Sequence, residues 1–220
     1  MMASGQNPIP IGNLIEVGGE TKHERRDAAA NRALILQTAE HLFNQHGVAN
    51  VNMADIAQAA GVGKGTLYRR FANKGELCLA LMDTQLLDFQ ERVLARLRQL
   101  TAGGVPYIEQ LAEFMDSLVY FTDTHRPLLC AVQREGFFVG SAELSLPHFW
   151  QYMTVNGLLQ RAAVAGEISP DLDIAYLADA LLAPLMVEIF RFQQEARGFS
   201  LERISAGLRS IVTALYIQNT

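Results

Sequence analysis

The sequence predicts an all-α protein. Apolar residues recur three and four positions apart along most of the chain, without the alternation of a strand. Glycines, prolines and capping residues fall between these runs, where helices would begin and end. Half of the 220 residues are hydrophobic and 19% are charged, a balance that supports a large folded core.

Each element has its own signal. Residues 1–24 are rich in Gly, Pro and Asn and carry no helical period, so they read as a mobile tail with a basic end, Lys22 to Arg26. That end fits either a basic arm beside DNA or a solvated tail. Ile35, Ala39, Leu42 and Phe43 share one helical face, and Gly47 closes the helix. Asn52 with Asp55 forms a capping box before the stripe Met53, Ile56, Ala57, Ala60, which Gly61 stops. Leu67 and Phe71 are the buried side of a very short third helix. Asn73 with Glu76 launches a long fourth helix from Gly75 to about Leu100. Pro106, Pro127 and Pro147 each suit a helix's first turn, giving helices ending near Thr124, Gly136 and Gly166. One helix runs from Asp171 to about Arg197, and Ser200 caps a last one to about Gln218, roughly nine in all.

The net charge is −5, yet it is unevenly spread. From Lys22 to Gly75 there are eight basic and four acidic residues; from Glu76 onward there are ten Arg, no Lys and seventeen acidic residues. A basic head on an acidic body is the charge footprint of a nucleic-acid-binding module on a non-binding core.

The head holds the informative segment, Asp55 to Phe71: two helices joined by a short turn. Ala57 and Ala60 are small enough for a close helix crossing, and Gly61 accepts the left-handed turn. With Leu67 and Phe71 turned inward, Lys64, Thr66, Tyr68, Arg69 and Arg70 form an exposed set suited to phosphates and base edges in the major groove. The segment from Ile35 to Leu77 resembles the DNA-binding domain of the TetR family, including the pattern G-V-x-x-G-T-L-Y-x-x-F from Gly61 to Phe71. The resemblance implies that Gly65, Thr66 and Tyr68 face DNA, with Tyr68 on a phosphate and Lys64 and Thr66 reading bases. It implies that Lys74 meets the DNA backbone at the start of the fourth helix. Asn52 stands where the family usually has Ser or Thr, Gly63 where Ser is frequent, and Arg70 where His is often found.

The domains so read are a tail over 1–24, a helix-turn-helix head over 25–75, and an effector-binding and dimerisation body over 76–220. The resemblance implies a homodimer on a palindromic double-stranded operator, its heads about 34 Å apart. Apolar stripes for the dimer surface are Leu177, Leu181 and Leu185 on one late helix and Leu208, Ile211 and Leu215 on the last; such stripes fit intramolecular core equally well. Phe114, Phe121, Phe137, His148, Trp150, Tyr152 and Met153 are candidates to line a pocket for a hydrophobic or aromatic effector, and they too fit packed core. Long helix four connects head to body, so a ligand that tilts it would release DNA and relieve repression.

Other chemistry finds no support in the residue pattern. Gly61 to Thr66 lacks Walker spacing, the five histidines lack metal-ligand spacing, and Glu109, Glu113 and Asp116 read as a solvated helix face. The expectation is therefore no enzyme, no cofactor and no metal. Cys78 and Cys130 read as buried free thiols, and a cytoplasmic location without a membrane span is expected. The competing functions are a helix-turn-helix protein that senses no ligand and a helical carrier or interaction protein.

Overall fold

The basic stretch at Lys22 begins a helix. The computed structural model describes residues 22–135 and 146–217, and its first element, α1, spans Lys22–His46. The expected tail therefore ends earlier than residue 24; the rest of that tail lies outside the described residues. Gly47 ends α1 with a positive φ of 79°, and a single 3₁₀ turn, Val48–Asn50, follows. Asn52 then caps α2 (Met53–Ala59) through the box read from sequence. Its Oδ1 accepts from the Ala54 and Asp55 amides at 2.8 and 3.0 Å, and Asp55 Oδ2 accepts from the Asn52 amide at 2.8 Å. Gly61, at φ 64°, turns the chain into α3 (Lys64–Arg70). Asn73 caps α4 (Lys74–Ala102) by accepting from the Glu76 amide at 2.9 Å.

The body is built on α5 (Tyr107–Arg134), which packs most extensively against α4 and α9 (Leu201–Ala214). Its first turn is capped from far along the chain: the Glu167 carboxylate accepts from the Tyr107 and Ile108 amides at 2.9 and 2.8 Å. Between α5 and α9 come α6 (Leu146–Val164), α7 (Ile174–Leu182), a 3₁₀ turn over Ala183–Leu185, and α8 (Val187–Glu195). The described residues thus hold nine α-helices and no strand, which is the expected fold class.

Two prolines behave unlike the expectation, in opposite ways. Pro127 does not open a new helix but lies inside α5. An interior proline loses one backbone bond and costs about 3 kcal/mol. Here the turns beyond it are held because Ala131 and Val132 are buried in the core of the head. Pro184, by contrast, breaks the helix expected from Asp171 to Arg197. Its ring falls in the 3₁₀ turn, and α7 starts at an Asp173 cap rather than at Asp171. The last helix stops at Ala214, short of Gln218.

Two cores result. The head core gathers Ile35, Ala39, Phe43, Ile56, Leu67 and Phe71 with Leu77 and Cys78 of α4 and Ala131 and Val132 of α5. The body core gathers residues of α4 to α9, among them Leu111, Met115, Leu159, Leu182, Phe190 and Leu208. Leu128 packs against both. The head therefore draws on residues beyond the boundary at 75 that sequence suggested. Glu113 and Asp116, expected on a solvated face, instead join helices: Glu113 pairs with Arg96 of α4 at 2.5 Å, and Asp116 holds Ser205 and Arg209 of α9.

Candidate nucleic-acid interface

The short α3 is fixed from within. Leu67 is fully buried and Phe71 nearly so, which leaves one side of the helix to solvent. On that side Lys64, Gly65 and Arg69 are exposed and Tyr68 is half exposed, at 50%. Thr66 is half-buried. Arg70 is half-buried too, with an Nε that has no hydrogen-bond partner among the described residues, so it is less free than Arg69 to reach outward. Gly63, at the N-cap, offers no side-chain bond to the first turn. Asn52 is exposed, but its Oδ1 is committed to capping α2, leaving the amide nitrogen for any outside contact.

Gly65 has no role in the fold. A Cβ built there would meet no atom within 4 Å, and its φ is not positive. Glycine inside a helix costs roughly 1 kcal/mol relative to alanine. Packing does not account for that cost.

Lys74 is placed differently from its expected role. Its ammonium donates to the Val48 carbonyl and, at 2.5 Å, to the Val51 carbonyl, and it lies 5.6 Å over the Phe43 ring. It thus ties the 3₁₀ turn and the entry to α2 onto the start of α4. Burial pushes its pKa below the ordinary lysine value, and the Arg134 charge adds to that. Nearby Cys78 is buried and its thiol is pushed up to about 12 by that burial, so it is an inert core thiol; Cys130 is only half-buried.

The residues expected to line an effector pocket pack mainly on one another. Phe114 and Phe89 meet the Trp150 ring edge-on, at 5.6 and 6.0 Å, and Phe89 stacks on Phe121 at 4.3 Å. Tyr152 is half-buried beside Asn156, and Met153 is exposed. Phe137 and the side chain of His148 lie outside the described residues. Phe89, which sequence reasoning missed, joins this cluster to a groove of about 170 Å³ between α4 and α5. Of the expected dimer residues, Leu181, Leu185 and Leu208 are buried in the chain's own core, Leu177 and Leu215 are half-buried, and Ile211 is exposed. The apolar surface left on α8 and beside it is instead Met186, Ile189 and Phe192. Ile189 and Phe192 flank the buried Phe190, so sequence period alone could not sort them.

Residues 35–81 match the family model for bacterial regulatory proteins of the tetR family. An HTH-type transcriptional regulator of Staphylococcus aureus is 30% identical over 178 residues, which are 81% of this chain and 90% of that protein. The chain belongs to the tetR family of bacterial regulatory proteins. It is a DNA-binding transcriptional regulator, as its relatives are, and not an enzyme. Its fold resembles the tetR-family repressor FadR of Thermus thermophilus, solved with lauroyl-CoA. There the TM-score is 0.61 and the identity 20%, covering 86% of this chain and 97% of that one. FadR of Bacillus subtilis, solved with stearoyl-CoA, gives 0.59 and 19%, covering 83% of this chain and 97% of that one. At these identities the likeness is one of fold. Among the described residues no helix is long and apolar enough to cross a membrane, and no cluster of His, Cys, Asp or Glu could hold a metal ion.

Proposed function

We propose that this tetR-family regulator is a repressor that binds a palindromic operator as a homodimer and leaves it when a small apolar or aromatic molecule binds the body. The observation that carries the DNA reading is the outer side of α3. Lys64, Gly65, Tyr68 and Arg69 stand outward on a helix clamped by Leu67 and Phe71, and Gly65 has no fold-level reason to be glycine. A helix this narrow, with cations and a phenol on one side, suits the major groove and its phosphates. Two such heads on a two-fold axis would read a palindrome. Exposed Met186, Ile189, Phe192 and Ile211 supply apolar area that a second copy would cover.

Selection of bound duplexes from a random DNA library tests this reading, with Tyr68→Ala alongside. Tyr68 packs little within the fold, so the variant keeps its thermal midpoint and loses about tenfold in operator affinity, or 1.4 kcal/mol. The native protein enriches a two-fold palindrome. Enrichment of an unsymmetrical motif that Tyr68→Ala leaves untouched would sink both the dimer and the role of α3.

The effector reading rests on the aromatic cluster of Phe89, Phe114, Phe121 and Trp150, which opens through Phe89 and Phe114 to the α4–α5 groove. At about 170 Å³ the groove is smaller than the roughly 300 Å³ at the low end for drug-sized ligands. Entry of a ligand therefore requires these rings to part, moving α4 where it leaves the head. Trp150 is the only tryptophan, so its emission reports occupancy directly. Lauroyl-CoA, the ligand of the FadR neighbour, is the first probe. Binding shifts the emission and weakens operator affinity together; an emission change with operator affinity intact would remove the switching claim, because a ligand shifts an equilibrium only by its differential affinity.

A further inference from the structure

Where head and body meet, a second groove of about 210 Å³ opens beside the 3₁₀ turn at Val48. Its charged lining is Lys74 from α4, Arg126 and Arg134 from α5, and Arg191 and Glu195 from α8, with Cys130 on the wall. Four cations thus face one carboxylate, although the body as a whole is strongly acidic. Three of the body's ten arginines gather here from positions up to 65 residues apart.

The cations are unevenly satisfied. Lys74 gives two of its three protons to the Val48 and Val51 carbonyls. Arg126 donates to Gln194 Oε1 at 2.5 Å and stands 3.8 Å from Glu195. Arg134 and Arg191 are exposed and have no ion pair or hydrogen bond among the described residues. Glu135, next to Arg134 in the chain, and Asp55 are the carboxylates whose charge reaches Lys74. Like charges held together with too few counter-charges repel, and guanidinium forks match the oxygens of a phosphoryl group. The groove has room for about seven water volumes, enough for one or two phosphoryl groups but too little for a whole nucleotide.

We propose that this groove is an anion site that takes the phosphoryl end of a small phosphorylated metabolite, leaving the rest of that molecule in solvent. Because its lining comes from the 3₁₀ turn and α4 of the head and from α5 and α8 of the body, occupancy ties the two parts in one arrangement. The site is separate from the aromatic cluster and from the outer side of α3, so it adds an input that neither of them provides. By linkage, an anion that favours one arrangement alters operator affinity by the same factor by which the operator alters affinity for the anion.

Inorganic pyrophosphate is the probe, titrated into the full-length protein with ionic strength held constant by potassium chloride. The wild type shows a saturable rise in thermal midpoint and saturable heat in calorimetry. Arg134→Ala/Arg191→Ala, which removes two exposed and unpaired side chains, keeps its fold by circular dichroism and binds pyrophosphate at least about tenfold more weakly, a loss of 1.4 kcal/mol. Arg98→Ala, which removes an arginine outside the groove, binds like the wild type. A wild-type response that never saturates, or one equal in all three proteins, overturns the proposal. So does a double variant that, without pyrophosphate, binds random-sequence duplex more weakly with a shallower salt dependence, since the groove would then face the DNA backbone.

Discussion

Lys74→Met is expected to destabilise the protein by about 2–4 kcal/mol, lowering its thermal midpoint by roughly 5–15 °C. Methionine keeps the aliphatic stem but donates nothing, so the Val48 and Val51 carbonyls lose their shared partner. The charge over the Phe43 ring is lost as well, which contributes about 0.5–1 kcal/mol more. Hydrogen bonds from a charged donor contribute more than neutral ones, and Val51 is buried, so water does not readily replace the ammonium there. Thermal unfolding followed by circular dichroism measures the loss. The alternative, a lysine that meets a DNA phosphate, makes a different forecast: an unchanged midpoint, with a salt dependence of DNA binding shallower by about one counterion. Where the midpoint stays and the salt slope falls, the fastening role assigned to Lys74 is wrong.

The second large effect is expected to run in two directions at once. Gly65→Ala raises the stability of the free protein by about 0.5–1 kcal/mol and lowers operator affinity by about 10–100-fold. The gain follows from helix propensity, because the added methyl meets nothing within 4 Å. The loss follows from where that methyl stands, on the exposed side of α3 between Lys64 and Thr66. A major groove that admits the helix closely has little slack for one more carbon at its N-terminal turn. Denaturant unfolding reads the first effect and titration of labelled operator the second. Unchanged or tighter operator binding would mean that the outer side of α3 near Gly65 does not approach the bases.

The head was legible in the sequence because its determinants are local. Asn52 and Asp55 cap each other three residues apart, Gly61 turns the chain, and Leu67 and Phe71 lie one helical turn apart. Each can be read within a window of a few residues. The body was less legible because its decisive contacts are remote. Nothing near Pro127 says that its helix continues; the reason lies in Ala131 and Val132 packing among residues some 80 positions earlier. Pro184 marks a break even though Leu185 and Phe190 beyond it are buried in the body core. Leu181, Leu185 and Leu208 have the same period whether they face a partner or their own core, and only the fold shows that they are buried. The arginine-lined groove, drawn from four separate segments, has no sequence signature beyond a body whose basic residues are all arginine.

The last two turns of α5, beyond Pro127, belong to the body by sequence and to the head by packing. A fragment cut after residue 75 would leave the hydrophobic floor of the DNA-reading module open, with Leu77, Cys78, Ala131 and Val132 all missing. Calorimetry of the whole chain should accordingly show one transition rather than two, since neither half completes its core alone. The same interlock sets a rule for building hybrids between family members. A recognition module transplanted onto a new sensor must bring along its own stretch of α5, or the two proteins must already agree at Leu128, Ala131 and Val132.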